Sequence, residues 1–156
     1  MAEQIKEVIK KEYVRCAQDP VYFLKKYCMI QHPIKGKIPF SLYPFQETTI
    51  NEFKDNRFNI ILKARQLGIS TLTAGYSLWM MTFFQDKNIL VIATKQDTAK
   101  NLVTKVRVMH ANLPSWLKQK CVEDNKLNLR YVNGSQIKAS ASGPEAARSE
   151  ALSLLI

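Results

Sequence analysis

Apolar residues recur at helical spacing along the N-terminal stretch. Ile5, Val8, Ile9, Tyr13 and Cys16 fall on one face, which predicts an amphipathic helix over 3–17. Asp19-Pro20 then supplies an N-cap and a proline suited to a first helical turn, so a short second helix is expected there. The segment QHPIKGKIPFSLYPF (31–45) holds Pro33, Gly36, Pro39 and Pro44 and predicts an irregular connector. Helix resumes at Phe45 and runs to Phe53 or Lys54. The run FNIILKA (58–64) is continuously apolar, as in a strand buried on both faces. Residues 69–84 are apolar almost all round, through Leu72, Tyr76, Leu78, Trp79, Met80, Phe83 and Phe84, which predicts a buried helix.

NILVIAT (88–94) predicts a second buried strand. Residues 97–112 form an amphipathic helix, capped by Asp97 or Thr98 and ended by Leu113-Pro114. The alternation on both sides of Asn133-Gly134 signals a hairpin. SGPEAARSEA (142–151) reads as a loop and LSLLI (152–156) as a further strand. Strand, helix, strand, helix, strands is an α/β pattern with a mainly parallel sheet. Ligands bind such sheets at the carboxyl ends of the strands, the edge where residues 63–71 would lie. No linker, repeat or low-complexity tract divides the chain. The sequence stops inside the apolar run ALSLLI; a finished domain rarely ends on a bare core strand, so a truncated protein is expected.

Composition narrows the function classes. The 156 residues suit one domain, and 46% hydrophobic content is enough for a packed core. No run of about twenty apolar residues predicts a membrane span. The charged N-terminus MAEQIKEVIKKEYVRC lacks an apolar signal region, which argues against secretion. Cys16, Cys28 and Cys121 have no metal-ligand spacing and read as reduced thiols of a cytosolic compartment. His32 and His110 are isolated and read as structural. The net charge of +10 favours polyanionic partners. It concentrates between Lys95 and Lys138, where nine basic residues face three acidic ones. This segment is either a solvated basic surface or a nucleic-acid face, and charge alone does not choose between them.

The candidate chemistry lies in NIILKARQLGISTLTAGY (59–76). A phosphate-binding loop needs converging backbone N–H groups, a helix N-terminus, a cation and a hydroxyl for magnesium. Measured against G-x-x-x-x-G-K-[ST], this segment keeps Gly68 and the hydroxyls of Ser70 and Thr71. It has Lys63 where the first glycine belongs and Ile69 where the lysine belongs. Lys63 and Arg65 lie in the same loop, so the charge is relocated to the front. On spacing alone, a nucleotide site and an ordinary Gly-containing turn beside a basic patch both remain open.

ARQLGIST beside LYPFQ resembles the ATPase domain of the large terminase subunit, the DNA-packaging motor of tailed bacteriophages, and the contractile-tailed type in particular. There, S-R-Q-L-G-K-T fills the loop; other terminases carry a variant with lysine first and none before the serine, which Lys63 and Ile69 match. The likeness extends to DPVYFLKKYCMIQHPIKGKIPFSLYPFQ upstream and NGSQIKASASGPEAARSEALSLLI downstream, about residues 18–156. It implies a P-loop NTPase (RecA/ASCE-like) fold, with an N-terminal helical or irregular extension over 1–44 and a partial ATPase domain over 45–156. It implies ATP and Mg2+ as ligands, double-stranded DNA as cargo, and the portal protein and small terminase subunit of the procapsid as partners. It also implies a homo-oligomeric ring in the host cytoplasm, with no membrane association.

By the same resemblance Gln46 reads the adenine, with Tyr43 and Phe45 as neighbouring aromatics. The loop Lys63, Ala64, Arg65, Gln66, Leu67, Gly68, Ile69, Ser70 and Thr71 binds the phosphates. Lys63 supplies the charge, Gly68 the close backbone approach and Ser70 the magnesium ligand. Arg65 is the loop arginine that stabilises the transferring phosphoryl group. Arg148 matches a second arginine, a phosphate or subunit-interface contact; neither Glu145 nor Glu150 beside it is the catalytic base. The family's Asp-Glu pair directly follows a strand like LSLLI, so this chain is expected to lack that pair and the nuclease domain, and to bind nucleotide weakly without useful hydrolysis. A helicase-like DNA-dependent ATPase, or a basic DNA-binding module whose loop holds backbone phosphate, are the rival readings.

Overall fold

The computed structural model describes residues 2–143 and 151–156. The chain opens with α1 (Ala2–Gln18) and α2 (Pro20–Tyr27). Asp19 caps α2 as its sequence predicts, its Oδ1 accepting from the Tyr22 N–H at 2.9 Å. The Glu12 carboxylate joins the two helices. It accepts from the Lys26 ammonium, the Tyr22 hydroxyl and the Tyr27 hydroxyl, each at 2.7 Å. These contacts, Lys26 foremost, hold the Glu12 carboxyl at about 2, well below its ordinary range.

The stretch expected to be an irregular connector forms an antiparallel hairpin instead, β1 (Met29–His32) and β2 (Gly36–Pro39). His32 explains how this proline-rich sequence turns. Its Nδ1 accepts from the Ile34 and Lys35 N–H groups at 3.2 and 3.1 Å, a local side-chain closure that residue composition does not reveal. Helix α3 (Pro44–Asp55) follows, with proline in its first turn.

Helix α4 (Ile69–Phe83) is enclosed, with ten of its 15 residues buried. Its apolar positions occupy every side, so it must be covered on every side. The N-terminal helices, α3, Phe40 and α5 (Gln96–Ala111) pack against it, and α5 in turn packs on the sheet; all share one core cluster. The Trp79 indole N–H donates to the Cys16 carbonyl at 2.9 Å and locks α4 to α1. Cys16 and Cys28 are buried thiols; desolvation raises both, Cys16 to about 12, so they pack as small apolar groups. Among the described residues, no helix is long and apolar enough to cross a membrane.

The main sheet has the order β4-β5-β6-β3-β7: β4 (Cys121–Asp124), β5 (Asn128–Tyr131), β6 (Gln136–Ala141), β3 (Asn88–Ala93) and β7 (Leu154–Leu155). The protein is thus mixed α/β. The expectation of a mainly parallel sheet is corrected: β3 runs parallel to β6 and β7, but β4–β5 and β5–β6 are antiparallel. The Asn133-Gly134 hairpin forms where predicted, with Gly134 at φ +83°. Helix α5 begins at Gln96 with Lys95 as N-cap and no side-chain capping bond, so neither Asp97 nor Thr98 takes the capping role expected of it.

The largest departure concerns residues 58–64. They form no strand. Phe58, Ile60 and Leu62 are exposed, Ile60 and Leu62 completely. Asn59 and Ile61 instead line a cavity whose opposite wall is β7 and Ile156. Apolarity specifies that this segment prefers burial, but a strand also needs a backbone partner for its ladder, and here the cavity lies between it and β7.

His110 is buried on α5, its Nε2 2.9 Å from the Gln119 carbonyl and its ring stacked on Tyr131 at 4.7 Å. Burial lowers its affinity for a proton below the ordinary 6.5. The unfolded chain therefore binds that proton more readily, so folding stability falls as pH drops below about 6.5. Denaturant unfolding from pH 7 to 5.5 is expected to show this slope, and His110→Gln, which keeps a donor for Gln119, to flatten it. An identical slope in the variant refutes the assignment.

Candidate phosphate-binding site at the start of α4

The two ends of α4 are treated very differently. At the C-terminal end, Asn133 Nδ2 donates to the Met81 and Phe84 carbonyls at 2.9 and 3.3 Å. Gln119 Nε2 donates to the Thr82 carbonyl at 3.0 Å and Ser135 Oγ to the Phe84 carbonyl at 2.8 Å. The carbonyls that a helix leaves without partners are thus met by side chains. At the N-terminal end, the N-cap is Gly68, with no side-chain capping bond and no acidic residue in the first turn. The N–H groups of Thr71 and Leu72 both reach the Gly68 carbonyl, at 3.0 and 2.9 Å. Helix geometry leaves those of Ile69 and Ser70 directed out of the helix end. This end therefore carries the positive pole of α4 uncompensated.

The loop before it is tightly shaped. Gln66 and Gly68 both adopt the left-handed region, with φ of 63° and 72°. Gly68 tolerates this without cost, whereas Gln66 adopts it as a non-glycine residue, a costlier choice that its surroundings must hold. Gln46 supplies the hold. It is 3% exposed, although glutamine is mostly a surface residue. Its Nε2 donates to the Leu67 carbonyl at 3.0 Å and its Oε1 accepts from the Tyr43 N–H at 3.1 Å. The side chain ties the loop to the start of α3 and keeps one N–H and one lone pair for another partner. A Cβ on Gly68 would sit 2.7 Å from Gln46 Nε2, so a side chain there would displace the amide that holds the loop, in addition to the strain of the positive φ.

The charged residues expected at the site lie around this loop. Lys63, Ala64, Arg65, Gln66, Leu67 and Ser70 are exposed, while Ile69 is buried as the first core residue of α4. Lys63 Nζ donates to the Ala64 carbonyl at 3.3 Å. Neither Lys63 nor Arg65 joins an ion pair among the described residues. Tyr43 and Phe45 are exposed and stack on each other at 5.8 Å, rather than joining the core. Ser70 opens on a cavity of about 420 Å³, also lined by Arg57, Asn56, Asn59, Thr73 and Tyr76. Arg148, Glu145 and Glu150 lie outside the described residues.

The two hydroxyls at the helix start are not equivalent. Thr71 Oγ1 accepts from the Lys105 ammonium at 2.9 Å, which makes it a poor ligand for a second cation. The exposed Ser70 hydroxyl has no ammonium beside it and suits a magnesium ion that takes its other ligands from phosphate and water. The residues present therefore fit Mg2+ bound together with phosphates. No cluster of three or more His, Cys, Asp or Glu suited to holding a metal occurs among the described residues.

Sequence reading missed Arg57 on the cavity wall and Lys105 at Thr71. Lys105 carried a signal: it falls three residues after Leu102 and four before Met109, on the spacing of the buried face of α5. No protein-family model matches the chain.

Gly68→Ala is expected to destabilise the protein by about 1–3 kcal/mol in denaturant unfolding, from the positive φ and the Gln46 contact together. In a Gln46→Ala background the added loss should shrink, because one of the two causes is gone. Strict additivity refutes the contact.

Proposed function

We propose that the loop 63–71 and the N-terminus of α4 bind the phosphates of Mg-ATP, and that the chain is the nucleotide-binding part of a P-loop ATPase of the large-terminase type. The observation that carries this reading is the contrast between the ends of α4: one saturated by side chains, the other left as a positive pole beside Lys63 and Arg65. A structural turn of this composition has little reason to gather like charges at a helix N-terminus. An anion with several oxygens reconciles them.

In this reading Lys63 folds over the outer phosphates, and the Ile69 and Ser70 N–H groups meet phosphate oxygens. Ser70 Oγ binds magnesium, and Arg65 stabilises charge on the transferring phosphoryl group. Gln46 couples base and loop: one half of its amide holds the Leu67 carbonyl, and its remaining donor and acceptor suit an adenine edge. No carboxylate among the described residues lines the adjoining cavity, so binding and charge stabilisation are the roles assigned to them. Hydrolysis coupled to double-stranded DNA translocation, DNA cleavage, the ring and its procapsid partners belong to the proposal for the complete motor.

The basic segment supports a DNA contact in the same reading. Arg107 is taken up by Asp124 and the Asn125 carbonyl, and Lys100 lies 3.9 Å from Asp97. Lys118, Lys120, Lys126 and Arg130 are exposed around β4 and β5 and make no ion pair among the described residues.

Titration calorimetry with Mg-ATP is expected to detect binding by the intact chain and a loss of about tenfold or more in Lys63→Ala. Negligible affinity in both refutes the nucleotide reading and favours a module that grips DNA phosphate. For duplex DNA, Lys118→Glu with Lys120→Glu should reduce the slope of log affinity against log salt. An unchanged slope removes these residues from the interface.

A further inference from the structure

We propose that Lys105, on α5, is a second phosphate-contacting cation of the site at α4, beside Lys63. The inference rests on the nucleotide reading above and adds to it a residue supplied by a different helix.

The argument begins with an electrostatic mismatch. Lys105 is half-buried, and its ammonium lies 2.9 Å from the hydroxyl of Thr71, the third residue of α4. That is the positive end of the helix dipole, where a cation is disfavoured and an anion favoured. No acidic residue in the first turn of α4 offsets it, and no carboxylate among the described residues pairs with Lys105. The Thr71 hydroxyl takes one of three ammonium N–H groups. A surface lysine in this position would turn into solvent. This one is half-buried, at a position three residues after the buried Leu102 and four before the buried Met109, with its ammonium on Thr71.

Space beside the ammonium suits a ligand group. A cavity of about 140 Å³ lies between β1, α4 and α5, lined by Gln31, Thr71, Thr104 and Lys105 together with apolar side chains. Thr71 and Lys105 both line this cavity, whereas Ser70 lines the larger one of about 420 Å³. A phosphate chain laid across the helix start would have magnesium at Ser70 and the Lys105 ammonium at Thr71. Lys63 serves the phosphates from the front of the loop, and Lys105, 36 positions after Ile69, adds a second cation from another helix.

The test is Mg-ATP titration of the intact chain and of Lys105→Met, Lys105→Arg, Thr71→Val and Lys63→Ala, each checked for an unchanged unfolding midpoint. Lys105→Met keeps the apolar stem and removes the charge; it should weaken binding about tenfold or more. Lys105→Arg should bind within a few-fold of the unaltered chain. Thr71→Val removes the hydroxyl link but leaves the ammonium, and should cost much less than Lys105→Met. If the unaltered chain binds, Lys63→Ala loses affinity and Lys105→Met does not, this inference is overturned while the nucleotide reading stands. Equal losses in Thr71→Val and Lys105→Met also overturn it, because a structural tether then accounts for both. No binding by the unaltered chain overturns both readings.

Discussion

Helix α4 has no side that tolerates water, and most of the architecture answers that constraint. Its apolar residues need cover, so α2, α3 and α5 pack against it, and α1 meets it at Trp79 and Phe83. The helix then has a second requirement, because its last carbonyls have no partner within the helix. The C-terminal carbonyls are satisfied by Gln119, Asn133 and Ser135, contributed by the segment leading to β4 and by the β5–β6 hairpin. The hairpin is thus more than a sheet edge, since its turn residues complete a helix in another layer.

The opposite end of α4 reaches the surface, where its N–H groups find no side-chain cap. Left-handed Gln66, left-handed Gly68 and a buried glutamine amide binding a loop carbonyl meet there. Strain and buried polarity of this kind persist only where surrounding contacts determine them. Gln46 is the clearest such contact, because it joins the first turn of α3 to the carbonyl just before Gly68. Any movement of the loop therefore has a direct mechanical route to the exposed Tyr43–Phe45 pair.

The cations fall into two groups with different chemistry. Lys63 and Arg65 lie on the loop with exposed side chains that join no ion pair among the described residues. Lys105 arrives from α5 half-buried, with its ammonium on the Thr71 hydroxyl. The former can adapt to a ligand, while the latter is preorganised and loses less freedom on binding. The wider basic surface is partly neutralised internally, since Arg107 is occupied by Asp124 and the Asn125 carbonyl. Net charge therefore overstates the positive surface that a polyanion would meet.

Periodicity and turn chemistry determined α1, α2, α3, α4, α5 and the Asn133-Gly134 hairpin to within a few residues, because those signals are local and act through neighbouring backbone. The same local logic marked Lys63, Gly68 and Ser70, whereas Gln46 was marked only by the resemblance to the large terminase subunit. Pairing was decided elsewhere. The apolar run 58–64 reads as a strand, yet strand formation depends on a partner backbone, and tertiary structure left a cavity between it and β7. The His32 turn, the antiparallel share of the sheet and the meeting of Lys105 with Thr71 were likewise settled only by folding. Each joins groups through space, and the free energy of such contacts depends on geometry that spacing along a chain does not encode.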